Sequence, residues 1–246
     1  MIIGSRLFFF DKLPSTNTQT VKLLESDYLP EGSVIYTSFQ TAGRGQKGNS
    51  WESEEGKNLL ISIVLYPYML NPNDQFLISM TISLGVCDFL RRYVNHISIK
   101  WPNDIYVNND KIAGILIENF ISGNLIEKSI AGIGLNINQR KFLSDAPNPV
   151  SLALLTRPDY DLSVCLDQLI ADIDNRYKQL ISENYFQIRE EYISHLFHLN
   201  RWKKYRSFSG EFTGRILSVR DSGELQVEKH SGKIVEYRFK EIDFVL

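Results

Sequence analysis

Residues 43–51, with the sequence GRGQKGNSW, combine side chains that could bind a phosphate joined to a ring. Glycines let a ligand approach the backbone N–H groups closely. An arginine and a lysine supply positive charge for an anion. A tryptophan closes the segment with a flat apolar face suited to stacking. These residues are Gly43, Arg44, Gly45, Lys47, Gly48 and Trp51.

The G-x-G-x-x-G spacing in this segment is a weak signal by itself. A dinucleotide fingerprint needs a strand before the glycines and a helix directly after them. Residues 33–39 favour a strand, but residues 59–66 predict a second strand rather than a helix. The glycine loop is therefore predicted to join two strands. A hairpin loop with solvated charges is an equally good interpretation of the pattern alone.

A second polar group precedes the first predicted helix. Ser15, Thr16 and Asn17 lie just before the helical run at residues 20–25. Such residues usually cap a helix N-terminus. The alternative is that the hydroxyls and the open helix end bind a carboxylate or another group rich in acceptors. Gln40, at the end of the strand before the glycine loop, offers an amide at the base of that loop.

Residues 97–138 are predicted to form a meander of strands interrupted by polar residues and glycines. Glycine inside a strand weakens it unless something approaches the backbone closely, so the pattern favours a binding site over plain surface alternation. The polar residues are Lys100, Asn103, Asp104, Lys111, Asn136 and Asn138, and the glycines are Gly114, Gly132 and Gly134.

Composition restricts the class of protein. The chain has 246 residues, 43% of them hydrophobic and 23% charged, which is ordinary for a globular protein. A net charge of −2 argues against general nucleic-acid binding. The two cysteines lie in apolar stretches and are predicted to be core residues. Neither a membrane-spanning run nor a signal peptide is recognisable, so we expect a cytoplasmic protein.

The pattern predicts an α+β fold with two domains. Helical periodicity follows residue 74 and recurs at residues 161–181 and 185–198, which places a large N-terminal domain at residues 1–200. Residues 201–206 are interpreted as a basic, solvated linker with one buried tryptophan. From residue 208 onward, short strands split by glycine turns predict a small SH3-like barrel, so the C-terminal domain is residues 201–246.

Together these motifs resemble the signature of biotin protein ligases. K-W-P-N-D at residues 100–104 with a lysine seven residues later is the most specific part. G-I-L-I-E at 114–118, G-I-G-L-N-I-N at 132–138 and the glycine loop also match, and the resemblance covers nearly the whole chain.

The resemblance implies a mixed sheet similar to class II aminoacyl-tRNA synthetases and a reaction in two steps. Biotin and ATP, with Mg²⁺, would give biotinyl-5′-AMP and pyrophosphate. The biotinyl group would then pass to a lysine of the biotin carboxyl carrier protein of a biotin-dependent carboxylase.

The same resemblance assigns residues to roles, and those roles fit the chemistry. Two anions, the biotin carboxylate and the α-phosphate, must be brought together, which requires cations and alignment. Lys111 and Arg44 are the expected catalytic residues, and Asp104 is the expected Mg²⁺ ligand. The expected biotin-binding residues are Ser15, Thr16, Asn17, Gln40, Arg44, Gly45, Gln46, Lys111, Gly114 and Gly134. The expected ATP-binding residues are Arg44, Lys47, Trp51, Asn103 and Asn136.

Two departures from the family pattern carry expectations. Gln46 and Asn49 are neutral where many members have arginine, so we expect faster escape of the adenylate. The chain starts directly with the catalytic pattern, so DNA binding and repressor activity are not expected.

Two other functions stay open at the level of sequence. A lipoate or octanoate ligase shares the fold and also modifies a lysine on a carrier protein. A non-catalytic module that docks protein or RNA would need no adenylation chemistry. Whether the chain forms a homodimer is also open.

Overall fold

A seven-stranded mixed sheet forms the centre of the molecule. The computed structural model describes residues 1–46, 48–144 and 148–245. The strands are β1 (Leu7–Leu13), β2 (Val34–Gln40), β3 (Asn58–Leu65), β4 (Ile97–Lys100), β5 (Asp104–Val107), β6 (Asp110–Ser122) and β7 (Leu125–Asn136). Their order is β1-β2-β3-β7-β6-β5-β4, in which only β1 and β2 pair in parallel.

Within the described residues, five α-helices accompany the strands. They are α1 (Thr16–Ser26), α2 (Phe76–Leu90), α3 (Leu152–Thr156), α4 (Leu162–Ile181) and α5 (Tyr185–Ser194), and a 3-10 turn at Pro72–Asp74 precedes α2. Helix α2 is buried on nearly all sides, as expected for a helix that is apolar all round. Gly85 lets α4 approach α2 closely, because a Cβ at Gly85 would lie 2.9 Å from Ile173 Cγ1. The Asp161 side chain caps α4 by accepting from the Ser163 and Val164 N–H groups.

A second, antiparallel sheet of five strands lies at the C-terminus. Its strands are β8 (Trp202–Ser207), β9 (Gly210–Val219), β10 (Leu225–Lys229), β11 (Ile234–Tyr237) and β12 (Ile242–Phe244), in the order β11-β10-β9-β8-β12. The interpretation of residues 201–206 as a linker is wrong, because β8 occupies 202–207. Trp202 is 40% exposed rather than buried, and it stacks on His230.

The segment between the two sheets is tied to both of them. Phe197 N–H donates to the Ile99 carbonyl of β4 at 2.8 Å, and Asn200 N–H donates to the Ile216 carbonyl of β9 at 2.9 Å. One apolar cluster then runs from α2 and the central sheet into the C-terminal strands. The predicted α+β class is therefore confirmed, and both sheets are held in a fixed relation around the site described next.

Candidate functional site

A cavity of about 240 Å³ lies between one face of the central sheet, the glycine loop and strand β12. Its wall combines the start of α1, the glycine loop, the residues around β5, and one face of β6 and β7. The lining residues are Ser15, Thr16, Asn17, Gln40, Arg44, Gly45, Gln46, Asn49, Ser50, Trp51, Lys100, Trp101, Pro102, Asn103, Asp104, Lys111, Gly114, Ile115, Leu116, Gly132, Ile133, Gly134, Lys240, Ile242, Asp243 and Phe244.

Nearly all predicted site residues are gathered on this cavity. Every predicted biotin-side residue lines it, as do Trp51, Asn103 and Asp104. Asn136 is absent from the lining. Lys47 lies outside the residues that the structure describes.

The start of helix α1 forms one end of the cavity. Ser15 is the N-cap residue by backbone conformation, yet its side chain makes no capping hydrogen bond. Gln40 takes over that function, because its Oε1 accepts from the Thr16 N–H at 2.8 Å and from the Thr16 hydroxyl at 3.2 Å. An amide from a neighbouring strand thus satisfies an open N–H of the helix. The capping interpretation of Ser15 is wrong for its side chain.

Asn17 is fixed over a glycine of β7. A Cβ at Gly132 would lie 2.2 Å from Asn17 Oδ1, so only glycine leaves space for this amide. The same Oδ1 accepts from the Ser62 hydroxyl at 2.6 Å. Asn17 Nδ2 donates to Glu118 Oε2 at 2.7 Å. The amide therefore has a defined orientation at the polar end of the cavity.

Trp51 packs flat on two further glycines. A Cβ at Gly134 would lie 2.4 Å from Trp51 Cε2, and one at Gly114 would lie 2.9 Å from Cζ3. Gly114 and Gly134 are partners across β6 and β7, so the absence of two side chains opens one continuous slot. The indole Nε1 is buried without a hydrogen-bond partner. Such a slot suits a thin ring system, and in this structure the Trp51 indole occupies it.

The glycine loop is a hairpin that brings Arg44 to the cavity. Trp51 N–H donates to the Gly43 carbonyl at 2.9 Å, and Gly45 N–H donates to the Asn49 carbonyl at 3.0 Å. The loop connects β2 and β3, as predicted. Arg44 forms an ion pair with Glu118 and donates to the Thr18 hydroxyl at 3.3 Å.

Lys111 is held by its backbone and points its amine at Asp104. Its N–H donates to the Asn148 carbonyl at 2.7 Å, and its carbonyl accepts from the Val150 N–H at 2.9 Å. An irregularity in the β5–β6 pairing falls next to it, which re-aims the side chain. Lys111 Nζ lies 2.8 Å from Asp104 Oδ1 and 5.7 Å from the centre of the Trp51 ring.

Lys100 is a third cation on the cavity and one that the sequence-based assignment left without a role. Its Nζ donates to the Tyr106 hydroxyl at 3.2 Å and lies 5.2 Å from the centre of the Phe244 ring. Burial lowers the pKa of Lys100, and neighbouring Lys111 lowers it further against the opposing effect of Asp104. The sequence feature that could have identified Lys100 is its position at the end of an apolar strand, directly before Trp101.

The C-terminal sheet supplies part of the same wall, which the sequence did not indicate. Ile242, Asp243 and Phe244 of β12 line the cavity opposite the central sheet. No motif marks these three residues, because they are far in sequence from the other lining residues and come close to them only in the folded chain.

Two predicted ATP-binding residues have structural contacts. Asn103 Nδ2 donates to the Ile115 carbonyl, and Ile115 N–H donates to the Asn103 carbonyl at 3.1 Å, which locks the turn before β5. Asn136 is buried and its Nδ2 donates to the Val150 carbonyl at 3.0 Å. Its Oδ1 has no partner. Gly132, Gly134 and Asn136 alternate along β7 and therefore lie on the same face of the sheet. The unpaired Oδ1 of Asn136 thus lies on the glycine-lined face.

The described residues offer little to a metal ion. Across residues 1–46, 48–144 and 148–245, no group of three or more His, Cys, Asp or Glu side chains could hold one. Asp104 is a single carboxylate beside the cationic amine of Lys111. That arrangement fits an ion that arrives with phosphates and keeps several waters, as Mg²⁺ does.

Known proteins share this fold and sequence pattern. Residues 9–136 match the model of the biotin/lipoate A/B protein ligase family. The bifunctional ligase/repressor BirA of Bacillus subtilis is 28% identical over 94% of this chain and 72% of its own length. The biotin–[acetyl-CoA-carboxylase] ligase of Paracoccus denitrificans is 28% identical over 90% of this chain and 93% of its own. The chain belongs to the biotin/lipoate A/B protein ligase family.

A solved structure extends the likeness to nearly the full chain. The biotin protein ligase from Aquifex aeolicus, solved in complex with biotin and ATP, has a TM-score of 0.78 and 25% identity, covering 97% of this chain and 98% of that one. The predicted class of enzyme and its synthetase-like fold are confirmed. In the part of the chain that the structure describes, no helix is long and apolar enough to span a bilayer. The cytoplasmic location stays a prediction.

Proposed function

We propose that this protein is an ATP-dependent ligase that forms biotinyl-5′-AMP and transfers biotin to a lysine of a biotin carboxyl carrier protein. The family match and the similarity to ligases named for biotin support this function. Lysine acceptors on such carriers, the Mg²⁺ requirement and the identity of each site residue are parts of the proposal.

The observation that carries the proposal is the combination of groups that line one cavity. Neutral hydrogen-bonding groups of α1 and Gln40, the glycine slot with Trp51, and the cations Arg44, Lys100 and Lys111 all belong to its wall. A ureido ring needs donors and acceptors, a thin bicycle needs a slot, and a carboxylate meeting a phosphate needs cations.

The residues support a direct displacement. A carboxylate oxygen of biotin attacks the α-phosphorus of ATP, the new O–P bond forms, and pyrophosphate leaves with the electrons of the broken bond. Lys111 and Arg44 offset the charge where the two anions meet. A neutral lysine amine of the carrier then attacks the acyl carbon, the bond from that carbon to the phosphate oxygen breaks, AMP leaves with its electrons, and the nitrogen loses a proton to solvent as the amide forms. No covalent enzyme intermediate is needed.

Asp104 is the proposed protein ligand for Mg²⁺ bound to the phosphates. The ion would offset charge on the leaving pyrophosphate when it is bound. Asn136 Oδ1 is proposed to accept from the adenine amino group, because it is a buried acceptor without a partner. The division into a catalytic domain at 1–200 and a C-terminal domain at 201–246 is also proposed.

The test is pyrophosphate release from protein, ATP and Mg²⁺ with biotin, lipoate or octanoate in turn. We expect release with biotin and trapping of labelled biotinyl-AMP. Lys111→Ala should lower the rate by about 10²-fold or more, since removing one aligned charge-stabilising group typically has that effect. Lys128→Ala, a lysine on β7 outside the cavity lining, is the matched control and should keep the wild-type rate.

Three results would overturn the proposal. Release with lipoate or octanoate but not biotin would favour the related ligase activity. Full activity of folded Lys111→Ala would remove the assigned role of that amine. Binding without any adenylation would favour a non-catalytic module.

A further inference from the structure

Glu118 touches two cavity residues although it does not line the cavity itself. Its Oε1 pairs with the Arg44 guanidinium, and its Oε2 accepts from Asn17 Nδ2 at 2.7 Å. One carboxylate thus connects the cation on the glycine loop with the amide at the polar end. The mechanism above gives Glu118 no part.

The contact with Asn17 sets which way that amide faces. Asn17 Nδ2 donates to Glu118 and, at 3.4 Å, to the Leu116 carbonyl, while Oδ1 accepts from Ser62. Both nitrogen protons are therefore committed to the protein. A carbonyl oxygen has two lone pairs, so Oδ1 keeps one acceptor position for an N–H of a ligand. Glu118 holds this acceptor in place.

The contact between Glu118 and Arg44 opposes ligand binding, whereas the contact with Asn17 favours it. The Arg44 side chain is 44% exposed and that of Glu118 is 31% exposed, so the pair lies at the rim and is open to exchange. An anion that binds Arg44 must displace Glu118 or share the guanidinium with it. The displaced carboxylate then lies next to the ligand anion and repels it.

We propose that Glu118 is a positioning residue that competes with the ligand's anion for Arg44 while it holds Asn17 for the neutral end of the ligand. The inference rests on the proposed function, in which the ligand is an acyl-adenylate joined to a ureido ring. It makes Glu118 a determinant of how long the adenylate is retained, in addition to the neutral Gln46 and Asn49.

Three variants separate the two contacts. Glu118→Gln removes the competing charge but keeps an oxygen that can accept from Asn17. Glu118→Ala removes both. Glu127→Gln deletes an exposed carboxylate of β7 outside the cavity lining and is the matched control for charge. Thermal unfolding of each variant establishes that it is folded.

Two ligands provide the readouts. The first is biotinyl-5′-AMP formed on the enzyme, whose release is followed after a chase with unlabelled biotin and ATP. The second is biotin methyl ester, which has the ureido ring and no carboxylate, and whose affinity is measured by calorimetry. Partly exposed ion pairs have small effects, so Glu118→Gln should release the adenylate about two- to fivefold more slowly than wild type and Glu127→Gln.

Because biotin methyl ester has no carboxylate, its affinity reports the orientation of Asn17 without the competition for Arg44. Glu118→Gln should bind it like wild type, whereas Glu118→Ala should bind it roughly two- to tenfold more weakly, since Asn17 loses its acceptor. Adenylate release from Glu118→Gln at the wild-type rate would overturn the competition. Equal ester affinity in wild type and Glu118→Ala would overturn the role in orienting Asn17.

Failure of the proposed function gives a different result. Wild-type protein that binds the ester but forms no adenylate would contradict the reaction, and the ester series would still decide the Asn17 contact. A wild-type protein that binds neither ligand would contradict the proposed function and, with it, the role of Glu118.

Discussion

Each of the two proposed catalytic cations is paired with a carboxylate in this structure. Lys111 lies 2.8 Å from Asp104, and Arg44 pairs with Glu118. Such pairs keep the cations near the point where ligand anions would meet and lower the reorganisation needed on binding. They also oppose binding, because the ligand must take the place of a partner that is already there.

A half-buried histidine, His198, makes the stability of the fold depend on pH. Burial, together with the positive charges of Lys203, Arg201 and Lys100, lowers the pKa of His198 to about 4 from an ordinary value of 6.5. Its Nδ1 is buried without a partner, so the ring is held neutral. Below pH 6.5 the histidine of the unfolded chain binds a proton, whereas in the folded chain it stays neutral until the pH falls to about 4.

We therefore expect the free energy of unfolding to fall as the pH falls from about 6.5 to about 4, by roughly 1 to 2 kcal/mol for this half-buried ring. His198→Asn should remove this part of the acid loss, and asparagine tolerates the left-handed φ of 64°. Urea unfolding at pH 4.5 and 7 measures it. His230→Asn, at an exposed histidine, is the control, and an unchanged acid slope in His198→Asn would contradict the argument.

Where a motif spans a few positions, the sequence indicates which residues lie together. Lys111, Asp104 and Gly114 belong to such motifs and the structure gathers them on one cavity, whereas their roles stay predictions. Contacts between distant segments leave no such trace. That Gln40 caps α1 and Glu118 joins Asn17 to Arg44 depends on strand register and side-chain direction.

The paired glycines of β6 and β7, Gly114 and Gly134, leave the space in which the Trp51 indole packs. A methyl group at Gly134 would lie within 2.4 to 2.8 Å of three Trp51 ring atoms. The indole lies on a loop and can move, whereas the strand cannot. A methyl group at Gly134 would therefore displace the Trp51 indole from the slot without a large change in the sheet.

We expect Gly134→Ala to lower the rate of adenylate formation at least tenfold while the midpoint of thermal unfolding stays within a few degrees. Alanine even suits a strand better than glycine by roughly 0.5–1 kcal/mol, which offsets part of the crowding. Pyrophosphate release and calorimetry measure the two quantities. If the effect acts through Trp51, Gly134→Ala should add little in a Trp51→Ala background. Additive losses would contradict this explanation.

Element boundaries show where periodicity succeeds and where it fails. Strand β3, with eight buried residues, and helix α4, with its Asp161 cap, follow from apolar pattern and capping residues. The sequence predicts a linker in place of strand β8, because the charged residues of this strand conceal the alternating pattern. Lys203, Lys204 and Arg206 are exposed, and only Tyr205 is buried. Strand β8 pairs with β9 on one side and with β12 on the other, so backbone hydrogen bonds can stabilise it despite so little apolar content.

The C-terminal sheet packs against the segment that carries part of the candidate site. Trp101 Nε1 donates to the Gly223 carbonyl at 2.9 Å, and its ring packs against Phe239 at 5.2 Å between centroids. Arg189 of α5 pairs with Asp221 at 2.9 Å. Trp101 directly precedes the turn that presents Asp104, so the interface between the sheets and the position of the site are linked.

We accordingly expect the two sheets to unfold in one transition, since one apolar cluster spans both. Trp101→Phe should cost roughly 2 kcal/mol, because it leaves the Gly223 carbonyl without its donor and creates a small void. For a chain of this size that lowers the melting temperature by about 4 to 8 °C. Trp202→Phe, the same change at an exposed position of β8, should have almost no effect. Calorimetry measures both variants, and separate transitions, or equal losses in the two variants, would contradict a shared core.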